Sequence, residues 1–95
     1  MEQTTWYYNA ETAEDDGLYR VQCDAFKDWV YALAQYQKLT VDGYKPYMVT
    51  ADGYFKVQVD AFQKKSGADI RAAELNAKGY NTFITTKAGV PVSMA

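Results

Sequence analysis

The chain repeats itself. A shift of 36 places lays residues 16–50 on residues 52–86 without a gap. Asp16-Gly17 falls on Asp52-Gly53, Val21-Gln22 on Val57-Gln58, and Asp24-Ala25-Phe26 on Asp60-Ala61-Phe62. Ala32 falls on Ala68, Leu39 on Leu75, Gly43-Tyr44 on Gly79-Tyr80, and Thr50 on Thr86. Conservative pairs fill the gaps: Tyr19 with Phe55, Arg20 with Lys56, Tyr47 with Phe83, Met48 with Ile84. Two copies of one supersecondary unit account for this pattern, so the fold must carry a pseudo-twofold relation.

Each unit reads strand, helix, strand. Residues 19–23 and 55–59 alternate apolar and polar with a period of two, as a strand does when one face lies on a core. Tyr19, Val21 and Cys23 then face inward, and Arg20, Gln22 and Asp24 outward. Ser66 and Asp69 are spaced as a capping box, followed by Ala68, Ala72 and Leu75 at helical spacing up to Gly79. Ala32, Tyr36 and Leu39 take the same places before Gly43. Both glycines stand where a left-handed C-cap residue is wanted, and Tyr44 and Tyr80 then make the C-cap contact. Residues 44–50 and 80–86 close the units as strands, with a turn at Ala51-Asp52-Gly53.

The order β-α-β-β-α-β predicts an α+β fold of the split βαβ, ferredoxin-like kind: a four-stranded antiparallel sheet with two helices on one face. The first strands of the two units should lie side by side at its centre. Gln22 and Gln58 then meet on the open face, both pointing to solvent, with Arg20 and Lys56 beside them. Residues 1–15 read as a lead-in, whose aromatic Thr5-Trp6-Tyr7-Tyr8 could cover the strongly apolar first helix. Residues 16–86 read as the domain and 87–95 as a C-terminal extension.

Composition narrows the function. The 95 residues contain no histidine, which removes the commonest general base and metal ligand and excludes Ser-His-Asp and Cys-His sites. A single cysteine, Cys23, can form neither an internal disulfide nor a zinc site, so no metal and no cofactor is expected. Ten basic against twelve acidic residues give a net charge of −2, the wrong sign for a nucleic-acid binder. Nine tyrosines suit a core rimmed by hydroxyls, or a surface that stacks on sugar rings. A noncatalytic binding module is the reading that survives; no stretch approaches the length of a membrane span.

The segments Tyr-Arg-Val-Gln-Cys-Asp-Ala-Phe (19–26) and Phe-Lys-Val-Gln-Val-Asp-Ala-Phe (55–62), each followed by a helix ending in Gly-Tyr, resemble the two halves of a SPOR domain. This is the sporulation-related repeat of bacterial cell-envelope proteins. The resemblance implies binding to peptidoglycan, with a preference for denuded glycan strands, through the open face of the sheet. It also implies a location in the bacterial cell wall or envelope and attachment to a larger hydrolase such as an amidase or endolysin. Position by position, the family's central glutamine matches Gln22, its sugar-contacting aromatic Tyr54, its basic residue Lys56, and its last-strand apolar contact Ile84. The family's usual Gly-Ser reads Asp24-Ala25 here, so a hydroxyl hydrogen bond at Ala25 is missing. With Arg20 and Gln58 from the strand pattern, these form the candidate glycan-binding set. An amide can pair with the acetamido group of each sugar, a tyrosine ring can stack on a pyranose, and the cations can meet muramic carboxylates. The alternatives are an RNA-recognition-like domain, which shares the topology, and a protein-interaction module using the first helix.

Overall fold

The computed structural model describes residues 15–93. The lead-in therefore lies outside the described residues apart from Asp15, which begins the first strand. The elements are β1 (Asp15–Phe26), α1 (Trp29–Val41), β2 (Pro46–Ala51), β3 (Tyr54–Phe62), α2 (Lys65–Ala77), β4 (Phe83–Lys87) and β5 (Val90–Pro91). The strands form one sheet in the order β4-β1-β3-β2-β5. β1 and β3 are antiparallel neighbours at the centre, and Gln22 stands directly opposite Gln58. The α+β split βαβ fold thus holds, with one strand more than the repeats predict. The fifth comes from the segment read as an extension: Val90 and Pro91 pair with Thr50 and Val49 of β2.

The core lies between the helices and one face of the sheet. Val21, Cys23, Met48, Val57 and Val59 meet Ala32, Leu39, Ala68, Ala72 and Leu75, all buried. Alanines on the buried face of each helix let the backbone settle close to the sheet. Helix α1 buries only Ala32 and Leu39 and leaves Val30, Tyr31 and Val41 exposed. Both helices end as predicted, in full Schellman motifs. The Gly43 and Tyr44 N–H groups donate to Thr40 and Leu39, and those of Gly79 and Tyr80 to Asn76 and Leu75. Gly43 and Gly79 have φ of 95° and 99°, which an L residue adopts only with strain. The tyrosines then bridge the units. Tyr80 donates to Asp42 at 2.6 Å with Lys38 over its ring, and Tyr44 donates to Glu74 with Arg71 and Lys78 over its ring. Burial, followed by the hydrogen bond to Glu74, pushes the Tyr44 hydroxyl up to about 12.

The capping box at Ser66 is not used. Helix α2 begins at Lys65, after an extended Lys64 that makes no side-chain cap, and Asp69 instead pairs with Lys65 at 3.1 Å. Only Gln63 and Lys64 separate β3 from this helix, and the Phe62 ring fills the space at Gly67, where a Cβ would lie 2.8 Å from it. The early start follows from this close approach.

Two β-bulges set which side chains face the core. Asp24 and Asp60 have φ of 69° and 61°, and the register of the β1–β3 pair shifts beside each. An aspartate tolerates this left-handed geometry better than most residues. The extra residue explains why Cys23 and Phe26, three apart, both pack on the helix side, as do Val59 and Phe62. At Asp24, where the resemblance to the SPOR domain expects glycine, the backbone takes the left-handed geometry that glycine adopts without strain.

The sheet is coiled. Only Ala88 and Gly89 separate β4 on one edge from β5 on the other, and three Cα–Cα steps reach at most about 11 Å. In a flat five-stranded sheet the edge strands would stand about 19 Å apart. The two edges must therefore curl towards each other, and the face away from the helices becomes concave. Gly89 sits at this crossing with φ of 70°, and a Cβ there would lie 2.8 Å from Val49 Cγ2. Gly89→Ala is expected to cost at least about 1 kcal/mol, lowering the Tm by about 4–8 °C. Gly53→Ala is the control, because its φ of 81° is equally strained while a Cβ meets nothing within 4 Å. Equal losses for the two would show that the crossing is not tightly packed.

Candidate ligand site on the concave face

Coiling turns the open face into a cavity of about 280 Å³. Gln22 of β1 and Gln58 of β3 line it, with Val49 and Ala51 of β2, Phe83, Thr85 and Lys87 of β4, and Gly89 of the crossing. Lys56 of β3 and Asp52 of the β2–β3 turn complete the wall, and their side chains pair at 3.6 Å.

The glutamines correct the sequence expectation. They lie on the predicted face and at the predicted place, yet each is only 1% exposed, because a curled sheet shields its own centre. Gln58 Nε2 donates to Gln22 Oε1 at 3.2 Å. That bond leaves Gln22 Nε2 and Gln58 Oε1 buried and with no partner among the described residues. A single amide–amide bond consumes one donor and one acceptor whichever way the two amides are turned. The pair therefore always presents one unpartnered NH2 group and one unpartnered C=O.

The other predicted residues divide. Lys56 lines the cavity. Tyr54 lies on the same face by strand alternation, next to Ala51, 37% exposed, with the Lys27 ammonium 5.6 Å from its ring centre. Arg20 does not present its charge outward: it is 8% exposed, and its guanidinium donates to the backbone carbonyl of Thr86 at 3.3 Å, tying β1 to β4. Ile84 is on the opposite face. It stands across from Val21 and packs on the core beneath the sheet. Its neighbour Phe83, 52% exposed and opposite Gln22, is the apolar side chain that β4 offers to the cavity. The repeat carries the signal for this, since it pairs Ile84 with Met48, which is buried in the core, and Phe83 with Tyr47. Lys87 and Thr85 were missed because the strand they belong to was read without the coil that brings it over the face.

Cys23 takes no part. Burial, with a smaller contribution from Asp24, pushes its thiol up to about 12, so it stays a neutral core side chain. Among the described residues no group of histidine, cysteine, aspartate and glutamate side chains could hold a metal.

These features define a two-repeat α+β domain with a concave polar face. The family model of the SPOR domain matches residues 51–92, from the end of β2 through β5. Among solved structures, the solution structure of the peptidoglycan-binding domain of the B. subtilis cell wall lytic enzyme CwlC is similar, with 28% identity and a TM-score of 0.65. The match covers 90% of this chain and 96% of that one. No curated protein matches. The resemblance to the SPOR domain therefore holds in the sequence of the second repeat and in the fold of both, and the matched segment includes the fifth strand that the repeat pattern leaves out.

Proposed function

We propose that the chain is a noncatalytic cell-wall module that binds peptidoglycan glycan strands through its concave face. The observation that carries this is the likeness, over 90% of the chain, to a domain described as binding peptidoglycan. The cavity supports it chemically. Phe83 offers an apolar ring to the C–H face of a pyranose, and Lys56 and Lys87 offer ammonium groups to acidic substituents. Muramic acid carries a lactyl carboxylate once its stem peptide is removed, so denuded strands are the favoured form. The module, residues 16–86 with the β5 segment, serves a larger hydrolase of the amidase or endolysin kind in the cell envelope.

The test is co-sedimentation with intact sacculi, with amidase-treated sacculi and with cellulose. Binding is expected to be strongest to the amidase-treated material, without clearing of turbidity. Lys56→Ala and Phe83→Ala should each weaken it by about tenfold, the loss of one good polar or stacking contact. Equal retention on cellulose would remove the cell-wall assignment, and clearing would remove the noncatalytic one.

A further inference from the structure

We infer that the Gln22–Gln58 pair makes this site a reader of N-acetylation, so that removing acetyl groups from the glycan releases the module. The inference rests on the glycan-binding reading above and adds what it leaves open, namely which group of the sugar is recognised and which modification abolishes recognition. Both glutamines are nearly fully buried, both line the cavity, and each holds the other through one 3.2 Å bond. What remains is a donor and an acceptor, Gln22 Nε2 and Gln58 Oε1, withdrawn from water and without partners among the described residues. A buried polar group in that state costs stability until something satisfies it.

A secondary amide carries one acceptor and one donor, its oxygen and nitrogen standing on either side of the carbonyl carbon, and so offers a separate atom to each of the two, where a hydroxyl must serve both from a single oxygen. On a glycan of N-acetylated sugars that group is the acetamido substituent. Its carbonyl accepts from Gln22 Nε2 and its N–H donates to Gln58 Oε1, while its methyl group meets the apolar wall of Val49 and Ala51. Entry to the floor swings aside the long side chains of Lys56 and Lys87, which line the same cavity. Those two cations also set the penalty for the wrong ligand. N-Deacetylation replaces a neutral amide with an ammonium group, which lacks an acceptor for Gln22 and brings a third positive charge to a wall whose only carboxylate among the described residues is that of Asp52. A site built to hydrogen-bond one group rejects the analogue without it more strongly than an apolar pocket rejects a missing methyl.

The experiment uses stem-stripped glycan strands in three states: as prepared, after N-deacetylase treatment, and after re-N-acetylation of the treated strands with acetic anhydride. Affinity is expected to fall at least about tenfold on deacetylation, as for loss of one or two hydrogen bonds, and to return on re-acetylation. A second arm uses the double variant Gln22→Met with Gln58→Met, checked for its fold by circular dichroism, which should lose the part of the discrimination that comes from hydrogen bonding and keep only the salt-sensitive part due to Lys56 and Lys87. Equal binding of the parent to the first two preparations would overturn the inference and leave glycan binding intact. Failure to bind any of the three would overturn the glycan-binding reading itself. Discrimination that persists undiminished at high salt in the folded double variant would place recognition of the acetyl group elsewhere.

Discussion

Leu75→Ala lowers the unfolding free energy by about 2–5 kcal/mol, the range for truncating a leucine that its surroundings cannot collapse onto. Leu75 is fully buried, and it holds two positions at once. It is a core residue of α2, and its carbonyl accepts the Tyr80 N–H in the Schellman motif that turns the chain into β4. Shortening the side chain opens a cavity between helix and sheet and loosens the contact from Tyr80, which is itself buried. Ile70, on the same helix but 70% exposed, is the comparison: Ile70→Ala should stay within about 0.5 kcal/mol. Urea titration of the two variants measures the difference. A Leu75→Ala midpoint equal to that of the parent would mean that α2 does not present this face to the sheet.

The repeat made the fold legible because it reports pairings that single-residue propensities do not. Once residues 19–23 and 55–59 are known to be equivalent strands, a pseudo-twofold places them together, and the observed Gln22–Gln58 pairing follows. The glycine-tyrosine helix ends were readable for the same reason, since local backbone geometry at a C-cap has few solutions. The coil of the sheet was not readable. It arises from a two-residue link between opposite edges, and the sequence at residues 88–89 carries no sign of which strands it joins. The burial of the glutamines descends from that omission, whereas the place of Ile84 follows from strand parity. Gln22 and Gln58 are expected in solvent, Lys87 falls in the C-terminal extension rather than in the last strand, and Ile84, carried over from the family resemblance, takes a face that the parity of Phe83 denies it. The two bulges were hidden more thinly. Phenylalanines three residues after Cys23 and Val59 break a period of two, and an aspartate in each interval marks where.

Burial of the glutamine pair reverses what truncating it should do. An exposed glutamine would cost within about 0.5 kcal/mol to replace. Here Gln22→Met removes the acceptor of the 3.2 Å bond and strands the amide of Gln58 in a dry site, which should cost about 1–3 kcal/mol. Gln58→Met should do the same to Gln22. With both replaced, no polar group is stranded and the volume is nearly kept, so the double variant should be far more stable than the sum of the single losses predicts. A coupling of that sign, read from a urea double-mutant cycle, is the signature of a buried pair, and additive small losses would put both side chains back in solvent. Gln22→Glu sharpens the test through pH. Burial raises the pKa of the introduced carboxyl above its unfolded value near about 4.3, with Lys56, Lys87 and the Gln58 amide donor opposing and Asp52 reinforcing the shift. A raised carboxyl pKa means that the folded state holds its proton longer than the unfolded chain does. Stability is then greatest below about pH 4 and falls as the pH climbs through the range between the two values. Relative to the parent, Gln22→Glu should lose stability from pH 4 to pH 7. A variant that tracks the parent across that range would show that water, the two lysines and the Gln58 amide together offset the burial of a charge on the cavity floor.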